Sequence, residues 1–375
     1  MSSQDKRSGC DTLVIGGGTL GLMTALRLAE RGVEVTVLES SSPMGEASGV
    51  NAGSLASQNK MLAMMPHALE ALRLWGGMAD YLGADVGFQK VGGLRVAMDD
   101  ADVELLARSS GEQSRIGVDI EWLEGDEIRL RAPFLGEQVR AATYSSIDCL
   151  ANPLLFGPAL LRKAVKAGVR IEAHASVATI EQQGTGFSVG TQDGRTFPCG
   201  RLIIAAGAWS GELARLLGVH LPVALDVNMI GVSTPSAPFM KGVVTHVRGI
   251  LTLKQVANGT CLIGGGWQGK GSLGSGHKDI DYESSLHNVR LAVSVIPAIA
   301  QRTLLRQWAG FEGVSPDSCP YLGPLPNVRN AYALTCARGG WTLSPILSKM
   351  LSELILDRDT ALPFKAFSPG RFTHA

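Results

Sequence analysis

The residues best placed to do chemistry lie near the start of the chain, in Asp11-Thr12-Leu13-Val14-Ile15-Gly16-Gly17-Gly18-Thr19-Leu20-Gly21. An apolar run that breaks into glycines and continues into the helical pattern Leu22 to Glu30 reads as a strand, a tight turn and a helix N-terminus. Such a junction suits a pyrophosphate. Gly16 permits the turn, Gly18 lets the backbone approach the anion and Gly21 lets the helix pack close to the strand. The free N–H groups of the first turn, around Thr19 and Leu20, face the negative charge. Gly32 ends the helix, and a second strand, Val33 to Leu38, runs into Glu39 and Ser40. An acid at that point accepts hydrogen bonds from a ribose diol. A lone glycine fingerprint is weak, but here strand, helix, second strand and acid arrive in register. They mark a dinucleotide site without saying whether it takes FAD or NAD.

Three later stretches share this glycine-rich character. Ser40 to Ser54 is dense in glycine, serine and other small residues, including Ala47, Ser48, Asn51, Ala52 and Gly53. It is either a plain connector or a loop whose backbone N–H groups and Ser48 wrap a cofactor, and its composition favours the second. Arg201 to Trp209 is an apolar strand ending in Ala206, Gly207 and Trp209, with the unbroken hydrophobicity of a central parallel strand. Arg338-Gly339-Gly340-Trp341-Thr342 precedes a helix expected from Pro345 to Asp357, a second place where backbone amides can meet a ligand, expected at a flavin ring.

These stretches need a scaffold. Between the first and the third, the pattern predicts a helix over Met61 to Met78 carrying a structural His67, and a hairpin of Val86 to Lys90 with Leu94 to Met98 about Gly92-Gly93. Helices then follow at Asp100 to Ser109 and Glu124 to Arg131. A helix from Leu155 to Ala167 and a strand from Val169 to Ala173 return toward the first unit. A meander follows, of Val177 to Glu181, Phe187 to Gly190 and Thr196 to Pro198, turning at Asp193-Gly194. Strands at Leu221 to Phe239 and Val243 to Leu253, a turn at Asn258-Gly259, a helix from Tyr282 to Val295 and a strand from Leu304 to Phe311 come next. A nicotinamide dehydrogenase usually completes its first unit with further strand–helix repeats. A long insertion followed by a meander and an Ala-Ala-Gly strand favours FAD instead.

Bulk properties exclude other classes. Among 375 residues, 34 Lys and Arg balance 34 Asp and Glu, so no global field draws the chain to nucleic acid or an anionic membrane. No signal peptide or transmembrane stretch is expected, and the six cysteines lack metal-binding spacing, which reads as reduced thiols in the cytoplasm. No metal site is expected.

The assembled motifs resemble the D-amino acid oxidase family of FAD-dependent oxidoreductases along most of the chain. The similar stretches are Gly16 to Gly21 with Glu39, Glu46-Ala47-Ser48-Gly49-Val50-Asn51-Ala52-Gly53, Ile204 to Ser210, and Trp308-Ala309-Gly310 through Pro316-Asp317 to Leu322-Gly323-Pro324. The resemblance implies an α/β fold: a Rossmann-like FAD-binding domain of the glutathione-reductase type, with an inserted α+β substrate domain built on a mixed antiparallel sheet. The division drawn on this basis assigns 1–60, 150–220 and 305–375 to the FAD-binding domain and 61–149 and 221–304 to the substrate domain. It also implies that the Ala47-Ser48 loop and the Gly339-Gly340 turn hold the flavin and that the backbone near Val177 meets the adenine.

Within the family, Leu262 to Trp267 and Arg338 to Trp341 look most like subunits of multi-component dehydrogenases: those for opines, proline and D-hydroxyproline, and the glycine-consuming hydrogen cyanide synthase. The implied reaction is hydride transfer from the Cα–H of a neutral amine to flavin N5, the carbon held at about 3–3.5 Å. The implied partners are a small amino or imino acid and electron-transfer subunits carrying flavin or iron–sulfur. A free-standing glycine- or sarcosine-type oxidase making hydrogen peroxide and a non-catalytic electron-transfer flavin subunit are the alternatives. One departure is informative: Glu312 stands where glycine oxidase and D-amino acid dehydrogenase place a carboxylate-binding arginine, and an anion cannot form that bidentate pair. Arg338 is the first candidate to replace it, Arg306 the second. Lys254, Gln255 and Trp267 are weaker candidates, Trp267 as an apolar wall against a ring-shaped substrate.

Overall fold

The computed structural model describes residues 9–335 and 338–372. Its first sheet is centred on the opening strand Cys10–Ile15, which pairs in parallel with Val35–Leu38 on one side and with Thr196–Ile204 on the other. Arg170–Glu172 extends the sheet beyond Val35–Leu38. The long strand Thr196–Ile204 serves two partners along one edge. Its first half pairs with the meander strand Gly186–Thr191, itself paired with Val177–Gln183, while Leu202, Ile203 and Ile204 pair in parallel with Ala331, Tyr332 and Ala333.

Strand alternation explains the unbroken apolar runs. Val14 and Ile203 point to a core shared with Leu22, Met23 and Leu26 of the helix Thr19–Ala29 and with Leu343, Ile346 and Met350 of the closing helix Gly340–Ile355. Leu13, Ile15, Leu202 and Ile204 point to the opposite core with Val189 and Tyr321. Both faces are covered, and each fully buried aliphatic side chain contributes about 1.5–3 kcal/mol.

The second sheet runs Leu304–Val314, Ala224–Ser233, Cys261–Gly264, Thr252–Gln255, Val243–His246, Gly93–Ala97, Ala141–Ser145 and Glu121–Glu124. The helix Tyr282–Val295 covers it through Ala292 and Val295, packed with Leu253, Cys261 and Ile263. Leu304–Val314 pairs with Ala224–Ser233 along nearly its whole length, so this strand belongs with the second sheet and not with the cofactor unit to which the sequence division at 305 assigned it.

Two local expectations need correction. Residues 86–98 do not form a hairpin: Gln89–Lys90 pairs with Cys149–Leu150 in a small sheet with Ser54–Leu55, and Gly93–Ala97 joins the second sheet. The Val91 and Gly92 N–H groups both donate to the Asp148 carbonyl, which hands the chain from one sheet to the other. The closing helix begins at Gly340, a turn before Pro345, which lies inside it. His67 is buried, its Nε2 at 3.0 Å from the Pro363 carbonyl and its ring edge-on to Phe367, a structural role. Among the described residues no helix is long and apolar enough to cross a membrane. Cys149, Cys199, Cys261 and Cys319 are buried free thiols, and Cys336 lies outside the described residues.

Candidate functional site

The glycine turn at the end of the opening strand is built by steric necessity. Gly16 has φ +112°, and a Cβ there would lie 2.4 Å from the Ala205 carbonyl oxygen. A Cβ at Gly21 would lie 2.0 Å from the Gly16 carbonyl oxygen, so the helix Thr19–Ala29 meets the strand at backbone contact. Ser48, from the small-residue loop, accepts the Thr19 N–H at 2.9 Å and so acts as a cap supplied from outside the helix. Ser48→Ala is expected to cost about 1 kcal/mol of stability, read as a lower melting temperature, and to loosen the loop over the turn. The Glu39 carboxylate, at the end of the second strand, accepts the Gly17 N–H at 2.8 Å and the Ser41 N–H at 2.9 Å.

These parts line one cavity of about 1070 Å³, above the ~300–1,000 Å³ of ordinary small-molecule sites. Gly16, Gly18, Thr19, Leu20, Glu39 and Ser40 line it, as do Ala47, Ser48, Asn51, Ala52 and Gly53 from the loop. Val177, Ala206, Gly207, Trp209, Gly339, Gly340, Trp341 and Thr342 complete that wall. Gly21 acts from behind, through packing. Every cofactor candidate of the sequence except Gly21 is thus brought to one cavity. A helix N-terminus and a wall of glycines and small residues, where a Cβ at Gly16 would collide with the Ala205 carbonyl, fit an extended, phosphate-bearing cofactor.

The cavity continues past the Gly339 turn into a compartment formed by the second sheet. Cross-strand register sets Asp226 opposite Glu312 and Asn228 opposite Gly310. The Asn228 side-chain N–H donates to Glu312 Oε2, and Asn228 Oδ1 in turn accepts from Gln268 Nε2 at 2.9 Å. Burial holds the Glu312 carboxyl above the ordinary carboxylate range, against the pull of the Arg338 charge and the Asn228 hydrogen bond. Lys60 also reaches this compartment. Burial pulls its pKa down to about 8, partly offset by Asp148 and Glu312.

Residues 11–354 match the family described as DAO, FAD dependent oxidoreductase. The chain belongs to that family. Among relatives of this DAO protein, glycine oxidase of Geobacillus kaustophilus is 25% identical over 371 residues, 96% of this chain and 97% of that one. Its crystal structure superposes with a TM-score of 0.87 over 96% of this chain and 98% of that one. Sarcosine oxidase subunit beta of Rhizobium meliloti is 27% identical over 380 residues, 98% of this chain and 89% of that one. The L-proline dehydrogenase structure from P. horikoshii shares the fold, with a TM-score of 0.89 at 24% identity and 98% of both chains covered. The cofactor is FAD, and the DAO chain is a FAD-dependent oxidoreductase acting on amines or amino acids.

The arginine candidates do not converge. Arg338 lines the cavity, but its guanidinium is paired with Asp226 and its side chain is 49% exposed. Arg306 is exposed and stacks over the Trp308 ring at 5.2 Å, away from the cavity and from Glu312. Trp267 stacks on His287 with ring centroids 5.3 Å apart and is not part of the cavity wall. Gln255 ties the Asn258 turn to Ser236 and Phe239, and Lys254 is buried behind Ser54. The residues that do line the compartment, Lys60, Asn228, Met229 and Ile230 among them, carry no motif. One signal was available: Lys60 is the only Asp, Glu, Lys or Arg between Glu46 and Glu70.

Proposed function

We propose that this protein is a FAD-dependent dehydrogenase of a small D-amino or cyclic imino acid, such as D-proline or D-hydroxyproline, and the catalytic subunit of a heteromeric complex. Partner subunits with flavin or iron–sulfur centres would carry the electrons onward. The observation that carries this reading is the continuity of one cavity from the glycine turns to a compartment walled by Lys60, Asn228, Met229, Ile230, Thr252 and Glu312. Apolar Met229 and Ile230 suit a small ring or alkyl chain, and the polar groups suit an amine and a carboxylate. When bound, FAD supplies N5 as the hydride acceptor. The protein's own work is to orient the amine, exclude water and take up a proton; Glu312 stands where it can accept one from an ammonium. The multi-component part of the reading is supported by the Rhizobium relative, itself a subunit. The free-standing oxidase is supported by the glycine oxidase, matched over 97% of its length.

Anaerobic mixing tests the reading. At least one of D-proline, D-hydroxyproline, an opine, glycine and sarcosine is expected to bleach the flavin, faster as rising pH deprotonates the amine. Bleaching by none would remove the substrate class, leaving an electron-transfer subunit, and a flat pH response would remove the neutral-amine step. Peroxide yield in air separates the oxidase from the dehydrogenase.

A further inference from the structure

We propose that Lys60 is the anchor for the substrate carboxylate, in the compartment that Glu312 also lines. This rests on the reading of the substrate as an amino or imino acid.

Lys60 is 8% exposed, and its ammonium makes one hydrogen bond among the described residues, to Asn59 Oδ1 at 2.9 Å. No carboxylate lies within 4.0 Å of it among those residues, although Asp148 and Glu312 are near enough to act on it electrostatically. A buried cation without a partner anion is costly. Its position adds to that cost, because a Cβ at Gly339 would sit 2.4 Å from Lys60 Nζ. The ammonium therefore lies against the N-terminus of the closing helix Gly340–Ile355, the positive end of its dipole. Two positive features meet in a cavity wall, and a negative ligand group placed there would relieve both.

Few other groups could hold that anion. Among the described residues, the cations lining the cavity are Lys60, Arg215 and Arg338. Arg338 is committed to Asp226, and Arg215 stands at the last position of the short helix Ser210–Arg215, which follows the Ala206-Gly207 end of a first-sheet strand. Glu312 supplies the acidic partner, a carboxyl that burial holds above its ordinary range and that an ammonium beside it would ionise. The Asn228–Gln268 hydrogen-bond chain holds its carboxylate in the same compartment, close enough to feel Lys60 but not in contact with it. A zwitterion bound in this compartment would set its carboxylate on Lys60 and its amino group toward Glu312. A lysine gives a point charge in place of the bidentate fork of an arginine, so orientation then depends on Glu312 as well.

The test uses the FAD-loaded full chain as wild type, Lys60→Met and Lys60→Arg. Pyrrole-2-carboxylate, a flat non-reactive mimic of a cyclic imino acid, is titrated against the flavin absorption band, with pyrrole-2-carboxamide as the uncharged control. Lys60→Met is expected to weaken carboxylate binding about 100-fold or more, leave the amide unchanged and raise the melting temperature by removing a buried charge. Lys60→Arg is expected to recover most of the carboxylate affinity. Equal carboxylate affinity in wild type and Lys60→Met, or equal losses for acid and amide, would overturn the assignment. The substrate class is read separately, from anaerobic bleaching of the wild type by amino acids, so a failed anchor and a failed function give different results.

Discussion

Gly21→Ala is expected to leave a protein that purifies with less than about a tenth of the wild-type flavin. The added methyl group would lie 2.0 Å from the Gly16 carbonyl oxygen and 3.3 Å from the Ala205 Cβ. The nearest obstacle is backbone, not the end of a flexible side chain, so the helix Thr19–Ala29 must move off the strand. Overpacking of this kind costs about 1–3 kcal/mol or more, and here the displaced element is the helix whose N-terminus faces the phosphates. Gly16→Ala adds a second penalty, because φ +112° is a conformation L side chains rarely adopt. The control is Gly111→Ala, in the exposed-flank helix Asp100–Arg115, where a Cβ meets nothing within 4 Å. That change is expected to raise stability by about 0.5–1 kcal/mol and leave flavin content unchanged. The ratio of flavin to protein absorbance, with a thermal melt, checks all three. Wild-type flavin in Gly21→Ala would mean that the backbone contact is not what shapes the phosphate site.

That glycine turn was also the most legible part of the chain. Its signals are local: a short apolar strand, a tight turn, a helix and an acid within about 30 residues, each with its own residue chemistry. The same holds for the helix Tyr282–Val295, started by Asp281, whose side chain accepts the Ser284 N–H, and for the Asn258-Gly259 turn between Thr252–Gln255 and Cys261–Gly264. What the sequence hid depends on register between distant strands. Glu312 meets Asn228, 84 residues away, because Ala224–Ser233 pairs with Leu304–Val314 in one register, and Arg338, just before the closing helix, reaches Asp226 on the same strand, 112 residues away. No periodicity encodes that register, so an arginine beside a glycine turn looked available when its charge was already committed. The misread hairpin at 86–98 has the same origin, since Gly93–Ala97 takes its partners from Val243–His246 and Ala141–Ser145. Lys60 escaped notice because a lone lysine ordinarily marks a solvated surface, and only the folded chain shows that it is buried.

Lys254→Met is expected to raise the melting temperature at pH 7 by several degrees, and the gain is expected to shrink as the pH approaches 10. Lys254 lies on Thr252–Gln255 in the middle of the second sheet, 1% exposed, and its ammonium donates to Ser54 Oγ at 2.7 Å. Burial pulls its pKa down to about 7, against about 10.4 in the unfolded chain. Between those values the unfolded state binds more protons than the folded state, so stability rises with pH across the window. Below about pH 7 both states are protonated and the folded state carries the full cost of the buried charge, at most ~4–5 kcal/mol from the size of the shift. Methionine removes that cost and keeps the volume, while the lost hydrogen bond returns about 1 kcal/mol of it. Melting curves of both proteins from pH 6 to pH 10 would check the sign, and a gain that grew with pH would contradict the argument. Ser54 also lines the cavity, so Lys254 holds the cavity wall from behind. A stabilised Lys254→Met protein that reduced its flavin more slowly would therefore link the cost of burying this charge to the reaction, as expected where stability is given up for function.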